Sequence, residues 1–492
     1  MEINTQIEIK TRTYRNYING EWSDAANGAI MEARCPSDGQ VVSIAPKSSA
    51  ADVDRAARAA RAAFERADWA YNPRSRSNAL YAWAQKLRER GEDVARILSA
   101  EAGKPISEAR FETGNAINYL EYSAASARKL YGGATNVDAT SFSILAREPV
   151  GVVGAILPWN YPVTLFMRDM TPALAAGCAT VVKPAAQTSG CAMILLELLH
   201  ETGMFPAGVI NALTGAGSEA GEALINHKDV DMITFTGGTA VGQHIMRTAA
   251  DTMKKVSLEL GGKAGNIVFA DADMDKVMAN AVRASFSNAG QLCTVASRLI
   301  LEKKAAPTFL PAYIKLVEAL RIGHSLAEDT QLGPVVNQTQ LESVLGYINE
   351  AKSYAKLLTG GNRVTASGLD KGYFIEPTIF LDPPAGSRLA QDEIFGPVLV
   401  VQTFETLDEA IALANNTPYG LASGVWSKDI DKAMRVAREM KAGSCWVNCY
   451  NRLFPDAETG GYKLSGTDRA AGIEGLMKYT EVKHICIDFS AP

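Results

Sequence analysis

A single thiol, Cys293, closes the run Asn288-Ala-Gly-Gln-Leu-Cys293. A cysteine by default is a small buried hydrophobe, so its company decides whether it is a nucleophile. Two other residues offer matching chemistry. Glu259, in Leu258-Glu-Leu-Gly-Gly-Lys263, is one carboxylate between apolar neighbours and beside two glycines. Desolvation there would raise its pKa and suit it to base work; the plainer reading is a surface glutamate at a strand end. Asn160, in Pro158-Trp-Asn-Tyr-Pro162, ends the apolar run Val150–Leu157. A side-chain amide at the carboxyl end of a strand can donate to a developing oxyanion; simple turn chemistry is the alternative.

Two glycine-rich turns could hold phosphate. One is Gly215-Ala-Gly217-Ser-Glu-Ala-Gly221, which lacks the acidic residue about 20 positions on that a dinucleotide fingerprint asks for. The other is Phe235-Thr-Gly237-Gly238-Thr-Ala-Val241-Gly242. Each reads as a passage from strand to helix, where free amides and the helix dipole favour a pyrophosphate.

These residues need a frame, and the chain supplies a rhythm. Residues 14–47 read as short strands and turns, and 49–70 as an amphipathic helix with Val53, Ala57, Ala60 and Phe64 on one face. Residues 74–130 continue helical, broken near Gly91 and at Gly103-Lys104-Pro105. A β-leaning stretch at 131–149 reads as a hairpin that must find a partner. From 150 onward strands alternate with helices: strands at 150–157, 180–182, 209–214 and 232–236, helices at 164–177, 190–202, 217–226 and 240–253. A second alternating region follows Gly261-Gly262, with strands near 267–269, 298–301, 397–404, 421–426 and 444–447. This is the pattern of parallel sheets in an α/β protein, whose ligands lie beyond the carboxyl ends of the strands.

Composition narrows the partners. The 492 residues are of ordinary globular make-up with a net charge of −5, which disfavours nucleic acid and anionic membranes. No apolar run approaches the ~20 residues of a membrane span, and no leader is evident. The seven cysteines are scattered without a CxxC, so neither a disulfide framework nor a metal site is expected, and the cytoplasm is the expected location.

Taken together, Pro158-Trp-Asn-Tyr-Pro, Val182-Lys183-Pro184, Phe235-Thr-Gly, Glu259-Leu-Gly-Gly-Lys, Gly290-Gln-Leu-Cys293, Glu393-Ile-Phe-Gly-Pro-Val398 and Asn416-Thr-Pro-Tyr-Gly-Leu421 resemble the aldehyde dehydrogenase superfamily, in its order and over almost the whole chain. The resemblance implies a Rossmann-like cofactor domain (1–126 and 150–260), an α/β catalytic domain (261–446), a small β oligomerisation arm (127–149 and 470–492) and a substrate-channel segment (447–469). A homodimer or homotetramer is expected. The implied chemistry is oxidation of an aldehyde to its acid with NAD or NADP. Cys293 would attack the aldehyde, the Asn160 amide and the Cys293 N–H would hold the oxyanion, and Glu259 would activate water against the thioester. Pro158, Trp159, Lys183, Ala186, Gly215, Phe235, Gly237, Gly238, Val241, Glu393 and Phe395 would bind the cofactor. Members that pass the acyl group to coenzyme A tend to lack the glutamate, so Glu259 favours hydrolysis. A coenzyme A-acylating enzyme and a non-catalytic binding protein are the competing readings.

The chain departs from the family at telling places. Lys183-Pro-Ala-Ala186 lacks the glutamate that usually follows, which removes a clash with a 2′-phosphate and frees Lys183 to pair with one; acceptance of NADP is expected. Gly238 stands for a common serine. Thr459 stands where a phenylalanine usually walls the substrate. Tyr161, Arg168, Thr294, Arg452 and Thr459 are the expected substrate contacts. Arg168 and Arg452 point to an anionic substrate such as a semialdehyde, with neutral or aromatic aldehydes as the alternative and surface ion pairing as the plainer role for both arginines.

Overall fold

A computed structural model describes residues 7–66, 68–366 and 368–490. Residues 1–6 of the expected cofactor domain and 491–492 of the expected arm lie outside the described residues. Two seven-stranded sheets form the body.

The first sheet runs, across its width, Lys255–Glu259, Met232–Thr236, Val152–Ile156, Ala179–Lys183, Ile210–Ala212, then Asn16–Ile18 and Glu21–Ser23. The first five are parallel and the last two antiparallel. The chain starts in the middle at Val152, works outward to Ile210, then returns to the other side at Met232. That reversal makes a switch point between Val152–Ile156 and Met232–Thr236, the place where a doubly wound sheet opens a crevice for a ligand. The strands are buried almost throughout, as apolar runs covered on both faces must be. Helix Ala50–Glu65 begins where Asp52 reaches back to the Ser49 N–H at 2.9 Å, a capping device. Helix Pro162–Ala176 starts with proline in its first turn and stops at Gly177, whose φ of 102° suits glycine.

The second sheet runs Lys356–Thr359, Thr378–Leu381, Val398–Phe404, Arg298–Glu302, Gly265–Val268, Ala422–Trp426 and Ser444–Val447. All neighbours are parallel except the outermost pair, Lys356–Thr359 with Thr378–Leu381. Those two strands are absent from the sequence expectation. They are only four residues long each, too short to show a period.

A three-stranded antiparallel sheet joins Gly133–Asn136 and Ser141–Pro149 to Thr480–Asp488. The hairpin at 131–149 thus finds its partner in the C-terminal strand. The expected arm boundary at 470 needs correction. Helix Gly472–Met477 and Tyr479 pack into the body, with Ala471, Leu476 and Tyr479 in the main core, and the projecting part begins at Thr480. No described helix is long and apolar enough to cross a membrane.

Candidate active site

The chain crosses from the first sheet to the second directly after Glu259. Gly261 and Gly262 make that crossing tight. A Cβ on Gly261 would lie 2.3 Å from a Glu393 carboxylate oxygen, and one on Gly262 would lie 2.3 Å from the carbonyl oxygen of Cys293. The glycines therefore let the base strand, the thiol loop and the Glu393 loop touch. Glu259 and Asn160, the candidate residues of the first sheet, lie at the carboxyl ends of its strands. In the second sheet the site lies at the amino ends, since Cys293 precedes strand Arg298–Glu302 and Glu393 precedes Val398–Phe404.

The thiol loop is bent by its backbone. Asn288, Ala289 and Gly290 have φ of 50°, 53° and 73° in succession. Two non-glycine residues in the left-handed region cost free energy that surrounding contacts must offset. Those contacts are present. Asn288 Nδ2 donates to the carbonyls of Asn160 (3.1 Å) and Gln291 (3.2 Å), Gln291 Oε1 accepts from the Val336 N–H (2.9 Å), and Glu108 accepts from the Asn288 N–H (2.9 Å). Asn160 Nδ2 donates to the Gln291 carbonyl at 3.2 Å, which holds the amide beside the loop that carries the thiol. Thr294 Oγ1 donates to Asn451 Oδ1 (2.8 Å), and the Tyr450 hydroxyl donates to the Thr294 carbonyl (3.0 Å). These two bonds tie the loop to the channel segment.

Burial dominates the electrostatics. It pushes the Cys293 thiol up to about 12, with Arg168 the main opposing charge. It pushes the Glu259 carboxyl up to about 7, against the pull of Arg168 and Lys478. One Glu259 oxygen, Oε1, is buried with no hydrogen-bond partner among the described residues. An unpaired buried acceptor is costly unless a donor visits it, and a water molecule to be activated is such a donor.

The residues expected to bind the cofactor gather near the switch point. Lys183 ends its strand with its ammonium buried, donating to the Pro184 (2.9 Å) and Gly215 (3.4 Å) carbonyls. Burial lowers its pKa to about 8, and no carboxylate contributes. Gly221 packs on the same lysine, a Cβ there lying 3.6 Å from Lys183 Cε. Lys183 and the Gly215–Gly221 turn therefore form one wall. Helix Thr239–Ala250 opens at Gly238, where an added Cβ would meet nothing within 4 Å. Gly237 has no room for a side chain, because the ring of Phe235 folds over it at 2.4 Å from where a Cβ would stand. Val241 is exposed in the first turn of that helix. Glu393 accepts from the Gly262 N–H at 2.9 Å, and burial raises its carboxyl to about 7. Trp159, beside Pro158, meets Phe395 edge to face at 5.4 Å, so the two domains touch through these rings. Phe395 has φ 57° and is held by Gln340 Nε2 donating to its carbonyl at 2.8 Å.

The family model described as Aldehyde dehydrogenase family matches residues 22–485. This chain belongs to the aldehyde dehydrogenase family. The dehydrogenase is 41% identical to aminoaldehyde dehydrogenase 2, peroxisomal, of Pisum sativum, over 97% of this chain and 96% of that one. It is 40% identical to hydroxyisobutyraldehyde dehydrogenase of Mycolicibacterium austroafricanum, over 96% and 93%. Among solved structures it is similar to betaine aldehyde dehydrogenase from Staphylococcus aureus in complex with NAD+, with a TM-score of 0.95 and 38% identity over 97% of this chain and 95% of that one. The dehydrogenase is thus an enzyme that oxidises aldehydes to acids.

The expected substrate residues divide. Arg168 of the dehydrogenase grips its sequence neighbour: Nε donates to Asp169 Oδ1 at 2.7 Å and Nη2 to Asp169 Oδ2 at 3.0 Å, with a further bond from Nη2 to Thr236 Oγ1 at 2.7 Å. The guanidinium fork expected to meet a substrate carboxylate is filled by this ion pair. Arg452 is exposed on its loop, 5.6 Å above the ring of Phe454. Glu458, a nearby acid on the same loop, is turned away from it and accepts from the Ile473 N–H at 2.9 Å. Thr459 is half-buried and bridges to Ala470 through its backbone. The Tyr161 ring lies 3.6 Å from the Lys104 ammonium, a cation–π contact.

Sequence reasoning missed the residues behind Asn160. Lys104 and Glu112 form a fully buried ion pair. Lys104 donates to the Asn160 carbonyl at 2.8 Å, while Glu112 accepts from the Val163 and Thr164 N–H groups at 2.9 and 3.1 Å. Glu112 thereby caps helix Pro162–Ala176 and fixes the residue that precedes it. Lys104 was visible only as part of a helix break. Cys35, Asp38 and His324 also gather. His324 Nδ1 accepts from the Leu326 N–H at 3.2 Å, so Nε2 carries the hydrogen that it shares with Asp38 at 3.2 Å. The trio is thus occupied by its own hydrogen bonds.

Proposed function

We propose that the enzyme oxidises a neutral or polar uncharged aldehyde, by hydrolysis of a thioester on Cys293, with a nicotinamide cofactor. The observation that supports the substrate class is the bidentate Arg168–Asp169 pair, which fills the guanidinium fork that a substrate carboxylate would need. A semialdehyde remains the second reading, favoured by Arg452, whose exposed head group lies over the Phe454 ring. Comparing kcat/KM for benzaldehyde, a hydroxyaldehyde, betaine aldehyde and succinic semialdehyde tests this. A preference for succinic semialdehyde of tenfold or more, abolished by R452A, would replace the first reading with the second.

The residues present fit a dinucleotide. A buried ammonium without a counter-charge, the open approach at Gly238 and the raised carboxyl of Glu393 offer partners for hydroxyl and phosphate groups. When bound, the oxidised cofactor accepts hydride from the substrate carbon. The chain does the rest. Cys293 Sγ, its proton lost to solvent, bonds to the aldehyde carbon while Asn160 Nδ2 donates to the oxygen; after the hydride has left, Glu259 takes a proton from the water whose oxygen displaces Sγ as thiolate and frees the acid. Release of free acid without coenzyme A is the expected product result. NAD is supported by the relatives in complex with NAD+. We further propose that NADP is accepted, because Ala186 carries no carboxylate beside Lys183. The substitution A186E should raise KM for NADP at least tenfold while changing KM for NAD much less; equal effects on both would defeat the proposal. The seven free thiols support a cytoplasmic location, and the arm supports a homo-oligomer.

A further inference from the structure

Glu259 shares its face of the sheet with a polar layer. Strand Met232–Thr236 pairs in register with Lys255–Glu259, setting Thr236 beside Glu259 and Thr234 beside Ser257. Side chains alternate along a strand, so these four lie on one face. Two segments press charges onto it. From helix Pro162–Ala176, Arg168 Nη2 donates to Thr236 Oγ1 at 2.7 Å, and the same hydroxyl donates to Asp169 at 3.1 Å. From the C-terminal side, Lys478 Nζ donates to Ser257 Oγ at 2.9 Å, and the Tyr479 hydroxyl donates to the Asp169 carbonyl at 2.9 Å. The carboxylate thus has one cation anchored on its cross-strand neighbour and another anchored two residues back on its own strand.

We propose that Arg168 and Lys478 are positioning residues for Glu259, held through Thr236 and Ser257 so that two positive charges back the carboxylate and keep it ionised for the hydrolytic step. This assigns Arg168 to the base rather than to the substrate, and gives Lys478 a role where none was apparent. It rests on the reading of Glu259 as the base. A buried carboxylate otherwise takes up a proton near neutrality and cannot accept one from water. The other ionisable groups that face Glu259 or its two cations are Asp169 on the same helix as Arg168, Arg469 and Asp468 in the channel segment, Cys293 in the thiol loop and Tyr119 on helix Ile106–Ser126. Asp169 opposes the effect, and Arg469 adds to it.

The test is the pH profile of acyl-enzyme breakdown in single turnover, for wild type, K478M, K478R, T236V and E259Q. Removing a cation raises the carboxylate pKa, so the acid limb moves up. A limb raised by about one pH unit lowers the rate at pH 6 about tenfold and leaves pH 9 unchanged. K478M should show this and K478R should restore the wild-type limb. T236V should move the limb the same way, and decides the matter if K478M does not fold. An unmoved limb in the folded variants, or an even loss at every pH that arginine does not rescue, overturns the proposal. E259Q separates the layers: loss of breakdown with a retained burst of reduced cofactor upholds the base, whereas wild-type breakdown removes the base and this proposal with it.

Discussion

Cys293 is the proposed nucleophile, yet its surroundings favour the thiol over the thiolate. Burial lifts it to about 12, and the neighbouring carboxylates Glu393 and Glu259 add to the effect. The thiolate is the reactive form, so in the enzyme without ligands its alkylation should be slow and steeply dependent on pH. Inactivation by iodoacetamide should rise about tenfold per pH unit from 7 to 10 without levelling, since the thiolate fraction does so below the pKa. Measured inactivation kinetics with a plateau below pH 9 would show that the thiol is ionised more easily than its burial implies. At this scale the sequence offered motifs that stood together, at Cys293, Glu259 and Asn160, and the structure brings their segments into contact. The sequence was silent on the true partner of Arg168. Adjacent residues on a helix do not face one another, so spacing gave no reason to pair Arg168 with Asp169. A better sign was available: two charges side by side in the mostly apolar run Val163–Ala176 are hard to bury unless they neutralise each other.

The elements that aim these residues are fixed by contacts distant in sequence. Helix Pro162–Ala176 is capped by Glu112 from another helix, and the residue before it, Tyr161, lies against Lys104. Replacing Lys104 by methionine leaves Glu112 buried without its partner. The expected cost is about 3 kcal/mol of stability, seen as a lower midpoint in urea unfolding. Because Lys104 also holds the Asn160 carbonyl, kcat should fall at least tenfold in protein that remains folded; wild-type kcat in K104M would show that Asn160 is positioned without it. Strand and helix order along 150–253 could be read from alternation of buried runs with amphipathic ones. The short pair Lys356–Thr359 and Thr378–Leu381 could not, nor could the placing of the site at the amino ends of the second sheet. The ligand rule for parallel sheets concerns one sheet at a time, and here the thiol loop is brought in by a second sheet facing the first.

For the whole molecule, the arm is the feature that one chain leaves unfinished. Val482, Ile485, Ile487 and Phe489 are exposed along its last strand and just beyond, and Leu145 lies exposed on the neighbouring strand. An exposed apolar sheet of this kind asks for a second copy. Truncation after Tyr479 should leave a folded monomer with the body core intact, read by light scattering after size exclusion; an unchanged assembly would place the interface elsewhere. Sequence reasoning found the hairpin and its need for a partner, but set the arm boundary too early, because burial of Ala471, Leu476 and Tyr479 depends on packing against helix Pro162–Ala176 and its surroundings rather than on local pattern. The crossing at Gly261-Gly262 has a last consequence. Glu259 and Cys293, the proposed base and nucleophile, belong to separately built sheets, pressed together where neither glycine leaves room for a methyl group. Turnover is therefore a vernier on the alignment of two bodies. A slip too small to melt a strand would misalign the pair, and the enzyme would fall silent while its spectrum still reported a folded protein.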